Sequence, residues 1–287
     1  VFSRERIELK SLDEVRVMRR AGLVVADALD AVRAAVRPGM TTADLDAVAA
    51  KVIADVGATP SFLGYQGFPA TVCASVNDEV VHGIPGPRAL EVGDVVSVDC
   101  GAIVDGWHGD SAVTFVLGPD GPLGLDAAAA PDPADALLVR ATEAAMWAGI
   151  AALASAQRLN EVGAAVEAAV ELAGEAAGVE YGIVEGYVGH GIGSAMHQPP
   201  DVVNYRVADR GPRLRPGMCL AIEPMVSRGA GTTRVLDDDW TVVTQDAARA
   251  AHWEHTVAIL PDGISVLTAR DGGAERLAAL GVDVVAL

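Results

Sequence analysis

Lysine is almost absent from this 287-residue sequence: Lys10 and Lys51 stand alone, and arginine supplies the rest of the 21 basic residues. Against them stand 39 Asp and Glu, for a net charge of −18. So acidic a chain disfavours phosphate and anionic lipid, which argues against direct nucleic-acid or membrane binding. It favours solubility and attracts cations. Cysteine is scarce too. Cys73, Cys100 and Cys219 lie far apart, with no Cys-x-x-Cys and no even framework. Neither a disulfide scaffold nor a structural zinc site fits that pattern. Long apolar runs are missing: the longest, about Ala144 to Ala156, falls short of the roughly 20 residues needed to span a bilayer. The segment Val1 to Lys10 is charged and lacks the apolar centre of a signal peptide. These absences lead to the expectation of a soluble, cytoplasmic protein. Apolar residues make up 51% of the chain, enough for one large core.

Periodicity organises the chain into two similar halves. Ser11 and Glu14 form a capping box ahead of Val15, Met18, Gly22, Val25, Leu29, Val32 and Val36. Steps of three and four predict an amphipathic helix, stopped by Pro38-Gly39. Thr41 or Thr42 can cap a second helix, which ends at Gly57. A turn-rich stretch, Pro60 to Pro69, and short β-type runs follow. The second half repeats the order. One helix opens at Pro131 to Ala134 and runs to about Ala156; another runs from Asn160 to Gly178. β-type runs then occupy Gly182 to Val188, Met218 to Glu223, Thr241 to Thr244 and His252 to Leu260. The repeat predicts an internally duplicated α+β domain over 1–287, with halves at about 11–117 and 134–267. The Gly-, Pro- and Asp-rich segment 118–133 reads as the loop that joins them.

The chemistry starts at one hairpin. Asp105-Gly106 between β-type runs is a two-residue turn signal. It pairs Val104 with Trp107, and hence Gly101 with Asp110 and Asp99 with Ala112. Alternation then places Asp99 and Asp110 on one face, one step diagonal. Gly101 and Ala112 leave space around them. Two carboxylates so close share a proton, bind a cation, or simply face solvent; the hairpin alone leaves all three open. Further along, His190 lies among glycines in Gly189-His190-Gly191-Ile192-Gly193. Glu223 ends an apolar run before Pro224, and Glu254 lies inside another. Two Asp, two Glu and one His form an oxygen-rich set that suits Mn, Fe or Co better than a thiolate zinc site. Four carboxylate charges balance two divalent ions.

In this order, and in the contexts VDCGA, WHGDSA, GHGIG, IEPM and WEHT, these five residues resemble the methionine aminopeptidases of the pita-bread fold. The resemblance extends from about Ser11 to Leu267 and includes the block Pro60 to Pro69, Cys73, Asn77 and His82 to Pro85. The short spacings among His190, Glu223 and Glu254 match the compact type I enzymes. The resemblance implies a hydrolase with two divalent ions. Asp110 and Glu254 would bridge both ions, Asp99 would complete one, and His190 and Glu223 the other. Glu223 would shuttle a proton, while His82 and His197 would hold the scissile peptide. Phe62, Tyr65, Phe68, Cys73, Met196 and Trp240 would line the methionine pocket. Phe62 stands where many relatives carry a smaller residue, and Met196 where many carry an aromatic, which alters the implied width. His108 and His255 are expected to be structural or supporting. The implied substrates are N-termini of nascent polypeptides with a small second residue. The implied enzyme is a monomer, with the ribosome as a further partner.

Three other readings carry different signatures. A proline-specific peptidase shares the fold but usually has a further N-terminal domain. A non-catalytic binding protein on this fold would lose metal ligands. A two-carboxylate glycosidase leaves His190, Glu223 and Glu254 unexplained.

Overall fold

The structure, a computed structural model, describes residues 6–124 and 130–287. Helix α1, Leu12–Ala35, starts at the predicted capping box, with Ser11 and Glu14 satisfying each other's backbone N–H groups. Its apolar stripe is buried from Val15 to Val32. Helix α2, Thr42–Asp55, is capped by Thr41, which forms a second reciprocal box with Asp44. Helix α3, Pro133–Ala152, takes Asp132 as its N-cap, with proline in its first turn. It ends a turn earlier than the sequence pattern suggested, because 153–155 form turns. Helix α4, Asn160–Ala177, stops at Gly178 in the left-handed conformation. A short α5, Ala274–Ala278, lies near the C-terminus.

The strands curl into one large antiparallel sheet. Among the described residues it has ten strands. Its main path runs Thr59–Pro60, Val95–Val104, Trp107–Gly118, Glu254–Leu260, Cys219–Ile222, Gly189–Gly191, Gln198–Val202. The central join is the pairing of Trp107–Gly118, from the first half, with Glu254–Leu260, from the second. Helices α1, α2 and α3 pack against the sheet. There the backbone of α1 lies directly on the sheet: a Cβ on Gly109 would sit 2.6 Å from the Gly22 nitrogen. Only a side chain of hydrogen permits that approach. Helix–helix–strands occurs twice in chain order, which gives a duplicated α+β architecture.

Three local expectations change. The run Gly182 to Val188 is a strand only at Gly182–Ile183, and the glycine-rich Gly189–Gly191 is itself a sheet strand. The run His252 to Leu260 breaks at Trp253, so Ala250–His252 and Glu254–Leu260 belong to different sheets. The joining segment 118–133 contains a short strand: Gly121–Pro122 folds back to pair with Leu117 and Gly118. Its centre, 125–129, lies outside the described residues.

Candidate metal centre

The Asp105-Gly106 turn has positive φ at both positions, 49° and 81°, as a tight hairpin requires. It fixes the register with Gly101 opposite Asp110 and Asp99 opposite Ala112. Glu254 pairs with Ala112 from the other side. Asp99, Ala112 and Glu254 therefore form one row across three strands, with Asp110 one step diagonal on the same face. Ala112 separates the carboxylates with a single methyl group. The space over Gly101 is used differently from the expectation: Ser61 and Phe62 fill it, and a Cβ there would meet the Ser61 Cβ at 2.7 Å. Thr256 pins the backbone of Asp110 twice, accepting from its N–H at 3.1 Å and donating to its carbonyl at 2.8 Å.

The second half closes the face. His190 lies on Gly189–Gly191, squeezed between neighbouring strands. A Cβ on Gly189 would collide with the Ala221 carbonyl, and one on Gly191 with the Pro199 carbonyl. The His190 Nδ1–H donates to the Gly191 carbonyl at 3.0 Å, so the Nε2 lone pair faces the carboxylates. Glu223 follows the strand Cys219–Ile222. Asn204, fully buried, donates to the Glu223 carbonyl at 3.2 Å. Its carboxylate lies between two imidazoles, with Oε1 3.3 Å from His190 Nε2 and Oε2 3.5 Å from His252 Nε2.

All five residues line one cavity of about 310 Å³. Ligand atoms of Asp110, His190 and Glu254 all lie within 4.8 Å of one another. Burial raises the pKa of all four carboxyl groups, and neighbouring carboxylates add to the rise in Asp99, Asp110 and Glu254. Burial, and then His197, hold His190 down to about 3, so its imidazole is neutral. Asp99 Oδ1, Asp110 Oδ1 and Glu254 Oε1 are buried without a hydrogen-bond partner. Unpaired buried carboxylates are costly unless a cation compensates them. A neutral imidazole and four crowded carboxylates thus fit divalent ions of the Mn, Fe and Co type.

Beside this cluster lies a small apolar group separate from the main core: Phe62, Phe68, Ala70, Cys73 and Met196, with Tyr65, Ile84 and Trp240 at its edge. All six expected pocket residues are brought together here. Trp240 meets Phe68 edge-on, with ring centroids 5.1 Å apart. His82 adopts a left-handed backbone, φ 59°, and stacks edge-on to Trp240 and Tyr187. Burial lowers its pKa to about 4. His197 stands 4.2 Å, ring to ring, from His190, and its Nδ1 lies 3.0 Å from the Tyr65 hydroxyl. The two remaining predicted histidines stand outside the ligand set. His108 bonds Ser61 Oγ at 2.9 Å, and His255 bonds Thr268 Oγ1 at 2.8 Å beside Trp147. Sequence reasoning missed His252, Tyr187 and Asn204. His252 had a signal: it lies two positions before Glu254, the step that puts residues on one face. A larger groove lined by Arg6, Arg158, Arg210, Arg213 and Arg215, with Glu8, Asp201 and Asp209 among them, opens elsewhere.

The curled duplicated sheet and its carboxylate–imidazole cluster define a pita-bread metallohydrolase. The pattern of metallopeptidase family M24 matches residues 16–261. A methionine aminopeptidase 1 from Mycobacterium tuberculosis is 50% identical over 260 residues, covering 90% of this chain and 94% of that protein. One from Bacillus subtilis is 41% identical over 259 residues, covering 90% and 98%. The solved methionine aminopeptidase of Thermotoga maritima superposes with a TM-score of 0.84 at 37% identity, over 92% of this chain and all of that one. The prolidase of Pyrococcus furiosus, at 18% identity and a TM-score of 0.67, shares the fold. The chain belongs to metallopeptidase family M24, in its methionine aminopeptidase group.

Proposed function

We propose that this chain removes the initiator methionine from newly made proteins, cleaving the first peptide bond when the second residue is small. The observation that carries this is one cavity holding both the buried carboxylate–imidazole cluster and an apolar slot edged by aromatics. An unbranched thioether suits such a slot.

In this reading Asp99, Asp110, His190, Glu223 and Glu254 would hold two divalent ions, Asp110 and Glu254 serving both, Asp99 one, and His190 and Glu223 the other. The ions, when bound, supply a water acidified toward neutrality and Lewis-acid help to the carbonyl. Glu223 accepts the proton of the attacking water and returns it to the leaving amide nitrogen. His82 and His197, which line the same cavity, donate hydrogen bonds to the scissile peptide and steady the oxyanion as it forms. Phe62, Tyr65, Phe68, Cys73, Met196 and Trp240 hold the methionine side chain. That slot favours methionine over the X-Pro specificity of prolidases.

The chain acts as one catalytic domain over 1–287, its halves 11–117 and 134–267 joined by 118–133. It works as a monomer in the cytoplasm, where nascent N-termini emerge, and the ribosome that presents them is a second partner. Among the described residues no helix is long and apolar enough to cross a membrane.

The test strips the protein with chelator and assays Met-Ala-Ser, Ala-Ala-Ser and a Met-Pro peptide, each with and without Mn, Co or Fe(II). Metal-dependent release of methionine, with no cleavage of the alanine-first peptide, is expected. Cleavage confined to the X-Pro bond would transfer the chain to the proline-specific peptidases. A folded protein inactive with every metal would favour a binding role.

A further inference from the structure

Of the buried ring nitrogens around the cavity, one has no assigned task. His252 is 2% exposed, and its Nε2 lacks any hydrogen-bond partner. That places it in the same condition as Asp99 Oδ1, Asp110 Oδ1 and Glu254 Oε1. The ring is aimed deliberately. Its backbone N–H donates to Thr114 Oγ1 at 3.0 Å, and its carbonyl accepts from the same hydroxyl at 2.5 Å. With that proton committed, Ser97 must donate to Thr114 across their 2.8 Å contact. On the other side His252 pairs with Met225. Held between two strands, the imidazole has little freedom to turn away.

What it faces is Glu223. Oε1 of that carboxylate points at His190 Nε2, and Oε2 at His252 Nε2, 3.5 Å away and just outside hydrogen-bond range. Glu223 has two oxygens and, in the proposed centre, one ion to complete. When Oε1 turns to that ion, Oε2 stays buried and requires a donor. A neutral imidazole protonated on Nε2 supplies one without adding charge. Metal-bound carboxylates depend on such outer partners for their orientation.

We propose that His252 is a positioning residue: its Nε2–H holds Oε2 of Glu223, so that Oε1 is presented to the metal beside His190. This rests on the five-ligand reading of the site. It separates His252 from His82 and His197, which act on the substrate.

Gln and Met are close in length, and only Gln carries an N–H where Nε2 stands. Chelator-stripped wild type, His252→Gln and His252→Met are titrated with Mn(II) by calorimetry, after thermal unfolding has shown each to be folded. Two binding events are expected for wild type. His252→Met should weaken one of them about 10–100-fold, and His252→Gln should restore it. Equal affinities in the Gln and Met variants would overturn the assignment, whether both match wild type or both are weakened. Glu254→Ala separates this from the parent reading. If it keeps both events, or wild type binds no Mn(II), the ligand set is wrong; if Glu254→Ala loses binding while His252→Met does not, only the role of His252 fails.

Discussion

Stripping the metals should leave a protein whose stability falls as pH rises from 6.5 to 8. The cause is the buried carboxyl cluster. In the unfolded chain Asp99 and Glu223 titrate near their ordinary values of 3.8 and 4.5; burial raises them to about 7 and about 8. Asp110 and Glu254 are raised as well, by burial and by their carboxylate neighbours. Above pH 6.5 the unfolded chain has released these protons while the metal-free fold still retains some. The folded state binds more protons, so the free energy of unfolding decreases with pH, levelling off once the folded values are passed. Burial lowers the pKa of every histidine below its ordinary 6.5. The unfolded chain's histidines, half protonated at pH 6.5, therefore release protons over this window and oppose the loss by about 2 kcal/mol. If the fold retains two carboxyl protons on average, they contribute a loss of about 4 kcal/mol over 1.5 pH units, for a net loss of about 2 kcal/mol. Chemical denaturation of stripped protein across pH 6.5–8 measures it directly. With Mn(II) in excess the carboxylates are ionised in the fold, and stability should instead rise slightly with pH as the histidine contribution is left alone. A stripped protein whose stability is flat or rising with pH over that range would show that the four carboxyl groups are not crowded and buried together.

Asp110→Ala and Glu254→Ala should each abolish turnover of Met-Ala-Ser; retention of a tenth of wild-type kcat, a barrier change of only about 1.4 kcal/mol, would rule out bridging roles. Trp240→Ala should mainly weaken the preference for methionine over leucine, read as relative kcat/KM, and an unchanged ratio would remove it from the pocket. Gly101→Ala should drive Ser61 and Phe62 from their places, raising KM for methionine substrates with little effect on Mn(II) affinity; normal KM would refute that packing argument. Thr256→Val removes both bonds to the Asp110 backbone and should destabilise the fold by about 1–3 kcal/mol, which denaturant titration will detect.

How far the residues alone carried the site depends on the range of each signal. The hairpin was legible because a two-residue turn fixes register, and register fixes which side chains share a face. Asp99, Gly101, Asp110 and Ala112 follow from Asp105-Gly106. The helices were legible because caps and periodicity are local, as at Ser11 and Thr41. Convergence across the two halves is not local. That His190, Glu223 and Glu254 meet Asp99 and Asp110 followed from their resemblance to a family, since pairing of Glu254 with Ala112 leaves no mark in either segment. His252 left a local signal in its two-residue step from Glu254, but the run breaks at Trp253 and the two residues join different sheets, so that step alone does not place the ring. The filling of the space over Gly101 by Ser61 and Phe62 was likewise invisible, because nothing near Gly101 encodes the path of that loop.

The row Asp99–Ala112–Glu254 crosses the seam between the halves, and this has a bearing on biosynthesis. Its last member lies on the strand that joins the second half to the first. Neither half alone can assemble the proposed ligand set. Ions held there would tie together segments far apart in sequence and, by binding only the assembled fold, would stabilise it by mass action. A chain still emerging from its own synthesis would therefore have no peptidase centre until the strand Glu254–Leu260 is in place, and metal uptake would mark the joining of the two halves.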